Sequence, residues 1–536
     1  MKNKWKVGIA MALATVTSMS ILGAVSAKAE DMDIIKFSND IVALTPYSGK
    51  TVSIVHAGME SVLNMSTATQ TELAKYYYST PEMREFNKTG RIPNTPEEIR
   101  ACYDNNDDFA PIGNVLQWAY DKQADSYTVN VALDKKFTKV VFSKTVEDTS
   151  VNLGNTLYSG TDYYWQVIAN DGNEQVRSNI FEFSTKAGTR TIDLDGVSNT
   201  RDVGGYATPE GKTMQGLLYR TARLDDVSEE GKKTAEKLGI KTDLDLRAVG
   251  EGKENPLGIA YVRATPAPNY AYEINTPESK AAIRTIFGTF ANKDNYPIVM
   301  HCSIGRDRTG TATALLNALL GVNENTIVNE YLLSAFAYIS SWHKIQDGLI
   351  GNITGLISYI KSFEGDTLSK QTENFLLDAG VTAEEIQSVK DIMLGRVQVH
   401  DNTVDCGISY ENMYFVTVKP YGYAKQTYAV KDGVVIDAPY TLDEDTIWAV
   451  DGVEYDFSQP ITQDLTITTM EKEYVDILVS VSGQEQTIKA TVGETIDFTQ
   501  FAKDGYTYKV MNDKGDIITS LVAMKDCAVT IIYFKS

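Results

Sequence analysis

The chain has 536 residues, with 71 acidic and 50 basic side chains and a formal net charge of −21. So acidic a surface excludes nucleic acid as a natural partner, and the length fits about three or four domains. Its four cysteines lie far apart without a CxxC pair, which excludes a disulfide framework, and its four histidines form no ligand cluster, so no metal and no cofactor is expected.

Residues 1–29 read as a secretory leader. Lys2, Lys4 and Lys6 give a charged start, residues 7–25 are mostly apolar and small, and Ala27-Lys28-Ala29 is a small-x-small cleavage site. The expectation is a secreted, extracellular or cell-surface-associated chain. No later run is apolar enough to span a bilayer once the leader is removed. Residues 30–109 begin with 41–56, a candidate first strand, and continue over 57–109 as a mainly helical stretch broken by Pro and Asn. Residues 110–188 predict a β-sandwich. Ser126-Tyr127-Thr128-Val129-Asn130-Val131 alternates with period two, Asp162-Tyr163-Tyr164-Trp165-Gln166-Val167 is a second aromatic strand, and Trp118 is a core filler. Leu157, Thr161, Tyr163 and Val167 are spaced as in the tyrosine corner, and this module resembles fibronectin type III domains.

Residues 189–400 alternate between strand and helix patterns. Leu217-Leu218-Tyr219-Arg220 precedes a helix that starts at Ser228-Glu229-Glu230 and ends at Gly239. Ile240 to Arg247 reads as a strand running into a loop, and Tyr296 to Met300 as a buried strand. Thr309 to Leu320 reads as a buried helix, and residues 322–363 are helical. This alternation predicts an α/β domain whose mostly parallel sheet is flanked by helices. Residues 408–471 and 472–536 return to short strands divided by turns. They resemble the small β repeats of bacterial surface proteins and read equally as spacers or as modules for cell-surface or glycan contact. The predicted architecture is multidomain: a central α/β domain between an N-terminal β-sandwich and C-terminal β modules.

The chemistry concentrates in His301-Cys302-Ser303-Ile304-Gly305-Arg306-Asp307-Arg308-Thr309-Gly310. A loop between a buried strand and a buried helix aims successive N–H groups and a helix N-terminus at one point, which suits an anion. The same field stabilises a thiolate at Cys302, and Arg308 is able to fork onto two phosphate oxygens. Ser303, Ile304, Gly305, Arg306 and Gly310 complete the candidate phosphate-binding loop. The segment resembles the HC-x5-R-T signature of protein tyrosine phosphatases, and more closely the secreted bacterial branch acting on phosphotyrosine and lipid phosphates. Asn199-Thr200-Arg201-Asp202-Val203-Gly204-Gly205 and Gly239-Ile240 through Asp245-Leu246-Arg247 resemble that branch's other motifs.

The resemblance implies phosphomonoester hydrolysis through a cysteinyl-phosphate, with Cys302 as nucleophile and Arg308 as clamp. Thr309 would bond the sulfur, and His301 would orient the loop. Many relatives carry an acidic aspartate upstream of the cysteine, yet no Asp lies between Asp245 and Asp294 here. Asp307 is the favoured general acid, unless it only shapes the loop, and Asp245 is the alternative. Arg306 stands where the branch has Lys. It is either a second cation for substrates with several phosphates or a solvent-facing charge. Arg201 and Arg247 are either further anion contacts or partners of Asp202 and Asp245. The expected substrates are phosphorylated protein (phosphotyrosine, with phosphoserine or phosphothreonine) or lipid (phosphoinositides). The alternatives are a phytate-type polyphosphate and a non-catalytic phospho-ligand-binding surface protein.

Overall fold

The computed structural model describes residues 40–535 except 47–48, 56–113, 173, 266–272, 336–348, 420–424, 440 and 444. The leader pattern and the expected helical stretch at 57–109 lie outside these residues. The chain divides into two compact units, one spanning 40–411 and the other containing 412–536.

Among the described residues the first unit begins with nine strands: β1 (Ile41–Thr45), β2 (Lys50–Val52), β3 (Val115–Tyr120), β4 (Ser126–Ala132), β5 (Val140–Val146), β6 (Ser150–Asn152), β7 (Asp162–Asp171), β8 (Glu174–Arg177) and β9 (Phe181–Thr185). They form one sheet in the order β1-β3-β6 and another in the order β2-β9-β7-β4-β5, with β8 on β7. Period-two alternation sends Trp118, Val129, Val131, Trp165 and Val167 into a common core. Tyr163 is fully buried there, and its hydroxyl accepts the backbone N–H of Tyr158 at 2.5 Å. Burial pushes this phenol well above its ordinary range. Several hydrogen bonds tie the sandwich to the following domain. Ser159 N donates to Gln215 Oε1 at 2.9 Å, Lys212 Nζ to Ser159 O at 2.6 Å, and Arg190 Nη2 to Asn155 O at 2.5 Å.

The next strands are β10 (Arg201–Asp202), β11 (Ala207–Thr208), β12 (Gly211–Lys212), β13 (Leu218–Thr221), β14 (Thr242–Asp245), β15 (Ala260–Arg263) and β16 (Ile298–His301). The pair β11/β12 is a small hairpin, and the others form one sheet in the order β10-β13-β16-β14-β15. Only β10 pairs antiparallel in this sheet. The central strand β16 reads IVMH and is buried throughout, as a sheet covered on both faces requires.

Seven helices accompany the sheet among the described residues: α1 (Glu229–Lys237), α2 (Pro277–Ala291), α3 (Asp307–Leu319), α4 (Glu324–Leu332), α5 (Leu349–Ile360), α6 (Leu368–Asp378) and α7 (Ala383–Met393). Ser228, Thr276, Asn323, Thr367 and Thr382 cap five of them with side-chain oxygens. Helix α2 packs on α7, and α3 on α6. None of the helices is long and apolar enough to cross a membrane.

In the second unit, residues 412–471 and 472–535 each build a five-stranded sheet. The first strand of each forms a hairpin with the second and pairs in parallel with the last, Tyr414–Lys419 with Leu465–Glu471 and Tyr474–Val481 with Cys527–Lys535. Both sheets have the same strand order.

Candidate active site

Parallel register brings Thr221, His301 and Asp245 level at the carboxyl ends of three neighbouring strands. The loops that leave these strands therefore converge where open α/β sheets build their sites. Cys302 follows β16 directly, is 2% exposed, and is a free thiol. The chain then turns through Ser303, Ile304 and Gly305 into α3, whose first residue is Asp307. Gly305 has φ +70°, and a Cβ there would stand 2.2 Å from Thr221 O, so only glycine fits this turn.

Arg308 joins the loop to the segment that follows β14. Its Nη1 donates to Glu251 Oε2 at 2.8 Å and to Leu246 O at 3.1 Å, and its Nη2 donates to Ser303 Oγ at 3.2 Å. His301 is completely buried, with Nε2 2.9 Å from Asp243 Oδ1 and Nδ1 3.3 Å from Cys302 O. These contacts fix the ring and the backbone at the nucleophile. Thr309 is buried, but its Oγ1 has no hydrogen-bond partner among the described residues, so the expected bond to the Cys302 sulfur is not formed.

Three further expectations are corrected, those for Asp245, Arg201 and Arg306. Asp245 is not placed to deliver a proton, because it is 0% exposed and both its oxygens are occupied. Arg247 donates to Oδ1 at 2.9 Å and to Oδ2 at 3.0 Å, and Tyr261 OH donates to Oδ2 at 3.0 Å. Burial alone would raise this carboxyl, but Arg247 and the His301 side outweigh it and hold it below the usual range. Asp307 also has both oxygens paired, by Arg306, but its side chain is 28% exposed, so the two differ in access and not in pairing.

Arg247 takes the second of its two readings, as partner of Asp245, and its guanidinium is consumed by Asp245, Asp225 and the carbonyl of Lys253. Arg201 is fully buried and pairs with Glu330 at 2.8 Å rather than with Asp202, which takes Arg190 instead. Arg306 does not present a second cation to the cradle. Its side chain is 5% exposed and forks onto Asp307 at 3.0 and 3.2 Å, so it neither faces solvent nor adds charge at the mouth.

Sequence reasoning passed over Glu251, Arg220, Glu330 and Asp243. Glu251 follows Arg247 by four residues, in the loop that leaves β14. Arg220 reads from the sequence as a strand end, and a cation at the carboxyl end of a buried strand is the signal that points to it. Glu330 sits in a helix pattern that gives no hint of its partners. No group of His, Cys, Asp and Glu suited to a metal occurs among the described residues.

Residues 192–395 match the tyrosine phosphatase family. A putative tyrosine-protein phosphatase of Cupriavidus necator is 28% identical over 176 residues, covering 27% of this chain and 64% of that protein. The match thus spans slightly under two thirds of that relative. A tyrosine-protein phosphatase of Nostoc commune is 26% identical over 220 residues, covering 33% of this chain and 74% of that one. The core catalytic domain of the PP-IP phosphatase SIW14 from S. cerevisiae, solved with citrate, is 21% identical and covers 30% of this chain and 91% of that chain, with a TM-score of 0.20. At that score nothing rests on the likeness. The family match and the two relatives support a phosphoric monoester hydrolase of the tyrosine phosphatase type.

Proposed function

We propose that the α/β domain hydrolyses phosphomonoesters in two steps through Cys302. The observation that carries this reading is a buried thiol at the start of a strand-to-helix loop, with Arg308 bonded to Ser303 of the same loop and the N-terminus of α3 closing the turn. The Cys302 sulfur attacks phosphorus and the bond to the leaving oxygen breaks, giving a cysteinyl-phosphate. Arg308 and the loop N–H groups hold the equatorial oxygens as charge redistributes. Asp307, the half-buried carboxyl that Arg306 holds at the start of α3, gives a proton to the leaving oxygen, and water then releases phosphate from sulfur.

A thiol only 2% exposed is reached by a slim, extended ester, which favours phosphotyrosine over shorter phosphoserine or phosphothreonine side chains. Phosphoinositides remain within the proposal. The pairing of Arg306 with Asp307 weighs against a substrate as densely charged as phytate. The leader pattern and the acidic composition support a secreted enzyme of a bacterial cell surface. The β-sandwich with its buried Tyr163 supports a fibronectin type III-like module, and the paired C-terminal sheets support surface repeats for contact with the cell or its glycans.

The test is a panel of phosphotyrosyl peptide, phosphoseryl peptide, phosphoinositide and phytate, read as kcat/KM with Cys302→Ser as the blank. The reading predicts phosphotyrosyl peptide first and phytate last. Phytate first would overturn the substrate assignment.

A further inference from the structure

Bonded to the carbonyls of the loop lies a buried ionic cluster that the chemistry above does not use. Glu330 of α4 receives Arg201 Nε at 2.8 Å and Arg220 Nη1 at 2.5 Å. All three side chains are at most 3% exposed. Arg201 also donates to Ser334 Oγ at 3.0 Å and to the side-chain oxygen of Asn199. Two arginines and one glutamate leave a surplus positive charge in a place from which water is excluded, where charge acts strongly. The arginines nearer the mouth differ, since Arg306, Arg308 and Arg247 each rest on a carboxylate. Burial together with the neighbouring Arg220 lowers Arg201 to about 10. Glu330 stays below the ordinary carboxylate range although burial alone would raise it, because both arginines face it.

The cluster touches the loop at its carbonyls. Arg220 Nη2 donates to Gly305 O at 2.6 Å and reaches Arg306 O at 3.5 Å. Asn199 Nδ2 donates to Ile304 O at 3.0 Å, and the backbone N–H of Arg223 donates to Ser303 O at 3.2 Å. The cluster thus holds the Gly305 carbonyl, and its Asn199 partner holds that of Ile304; Arg306 O takes the first helical bond from Gly310 N at 2.8 Å, and Ser303 O is held by the Arg223 backbone. In a planar trans peptide the N–H points opposite to the C=O. The N–H groups of Ile304, Gly305, Arg306 and Asp307 are therefore turned away from these partners.

We propose that Arg220 is a positioning residue of the phosphate loop: held by Glu330, which it shares with Arg201, it draws the Gly305 carbonyl backward, aims the loop N–H groups at the phosphate, and lends the surplus charge of the cluster to the Cys302 thiolate. This rests on the phosphatase reading of the loop.

The test uses the full chain with Arg220→Met, Arg220→Lys and Asn199→Ala, each checked for folding by thermal melting. Arg220→Met leaves Arg201 and Glu330 as a neutral pair, so no buried charge is stranded. Two readouts need no turnover: the pH profile of Cys302 alkylation by iodoacetamide, and protection from alkylation by inorganic phosphate. Arg220→Met is expected to move the alkylation midpoint up by about one pH unit and to weaken phosphate protection about tenfold. Arg220→Lys should recover most of the midpoint, because it keeps the charge. Asn199→Ala should weaken phosphate protection with a smaller midpoint shift.

A folded Arg220→Met with the wild-type profile and protection would overturn the proposal, as would an Arg220→Lys that recovers nothing. If Arg220→Met does not fold, the other two variants decide by the same criteria. Failure of all three to fold would make the cluster a folding element only and would also overturn it. A wild-type protein that is alkylated and phosphate-protected but turns over no ester would refute the phosphatase reading while leaving this one standing.

Discussion

Gly305→Ala tests whether the loop is built against the end of β13. The added Cβ would lie 2.2 Å from Thr221 O and 2.5 Å from Thr221 C, where ordinary contact begins at 3.4 Å. The obstacle is backbone in the central sheet rather than a side-chain tip, so the loop must retreat by about 1.2 Å, the shortfall from that contact distance. The left-handed φ of +70° adds about 1–2 kcal/mol for any residue with a Cβ. Strain and clash together predict a loss of about 2–4 kcal/mol in unfolding free energy. A misplacement of about 1 Å at reacting groups costs about a hundredfold in rate, so kcat/KM should fall by that order. Urea unfolding and p-nitrophenyl phosphate kinetics on the same preparation read both quantities. A variant within about 0.5 kcal/mol and threefold of wild type would refute the packing described for the loop.

Asp307→Asn is expected to lose most activity on esters with poor leaving groups, whereas Asp245→Asn, altering a buried partner of Arg247, should lose activity evenly across a leaving-group series; a flat response for Asp307→Asn removes it as the acid. Glu251→Ala takes away the carboxylate that steadies Arg308, and kcat/KM should fall about tenfold with most of the change in KM, measured on the same ester. Tyr163→Phe removes the hydroxyl that accepts the Tyr158 N–H, which should destabilise the first unit by about 1–2 kcal/mol in thermal unfolding without affecting turnover. Glu330 titrates below its ordinary 4.5 and Asp245 below its ordinary 3.8 in the folded chain, so the stability they contribute is complete above those values and is lost as pH falls through the lower folded ones. Unfolding free energy should therefore decline steeply below about pH 4; a flat profile there would contradict the ion pairs described.

The elements around the site were legible because their signals are local. An apolar run before His301, the capped helix after Ser228 and the alternation in 126–131 each follow from burial and capping within a few residues. Side-chain pairing was not legible, because it depends on which strand ends meet. Asp202 is one residue from Arg201, yet it turns toward Arg190. Arg201 instead crosses to Glu330, 129 residues away in sequence. In the same way the spacing of Arg306 and Asp307 suggested two separate tasks, and the fold makes them one ion pair. Glu251 had no periodic signal at all, since it lies in a loop whose position is set by β14 and its neighbours.

The central claim is that Cys302 is the nucleophile, and the most direct measurement is the rate of p-nitrophenyl phosphate hydrolysis by the purified chain beside Cys302→Ser, with thermal melting to show that both are folded. The account predicts turnover by the wild type and its loss to background in the variant. Equal rates from the two folded proteins would contradict it.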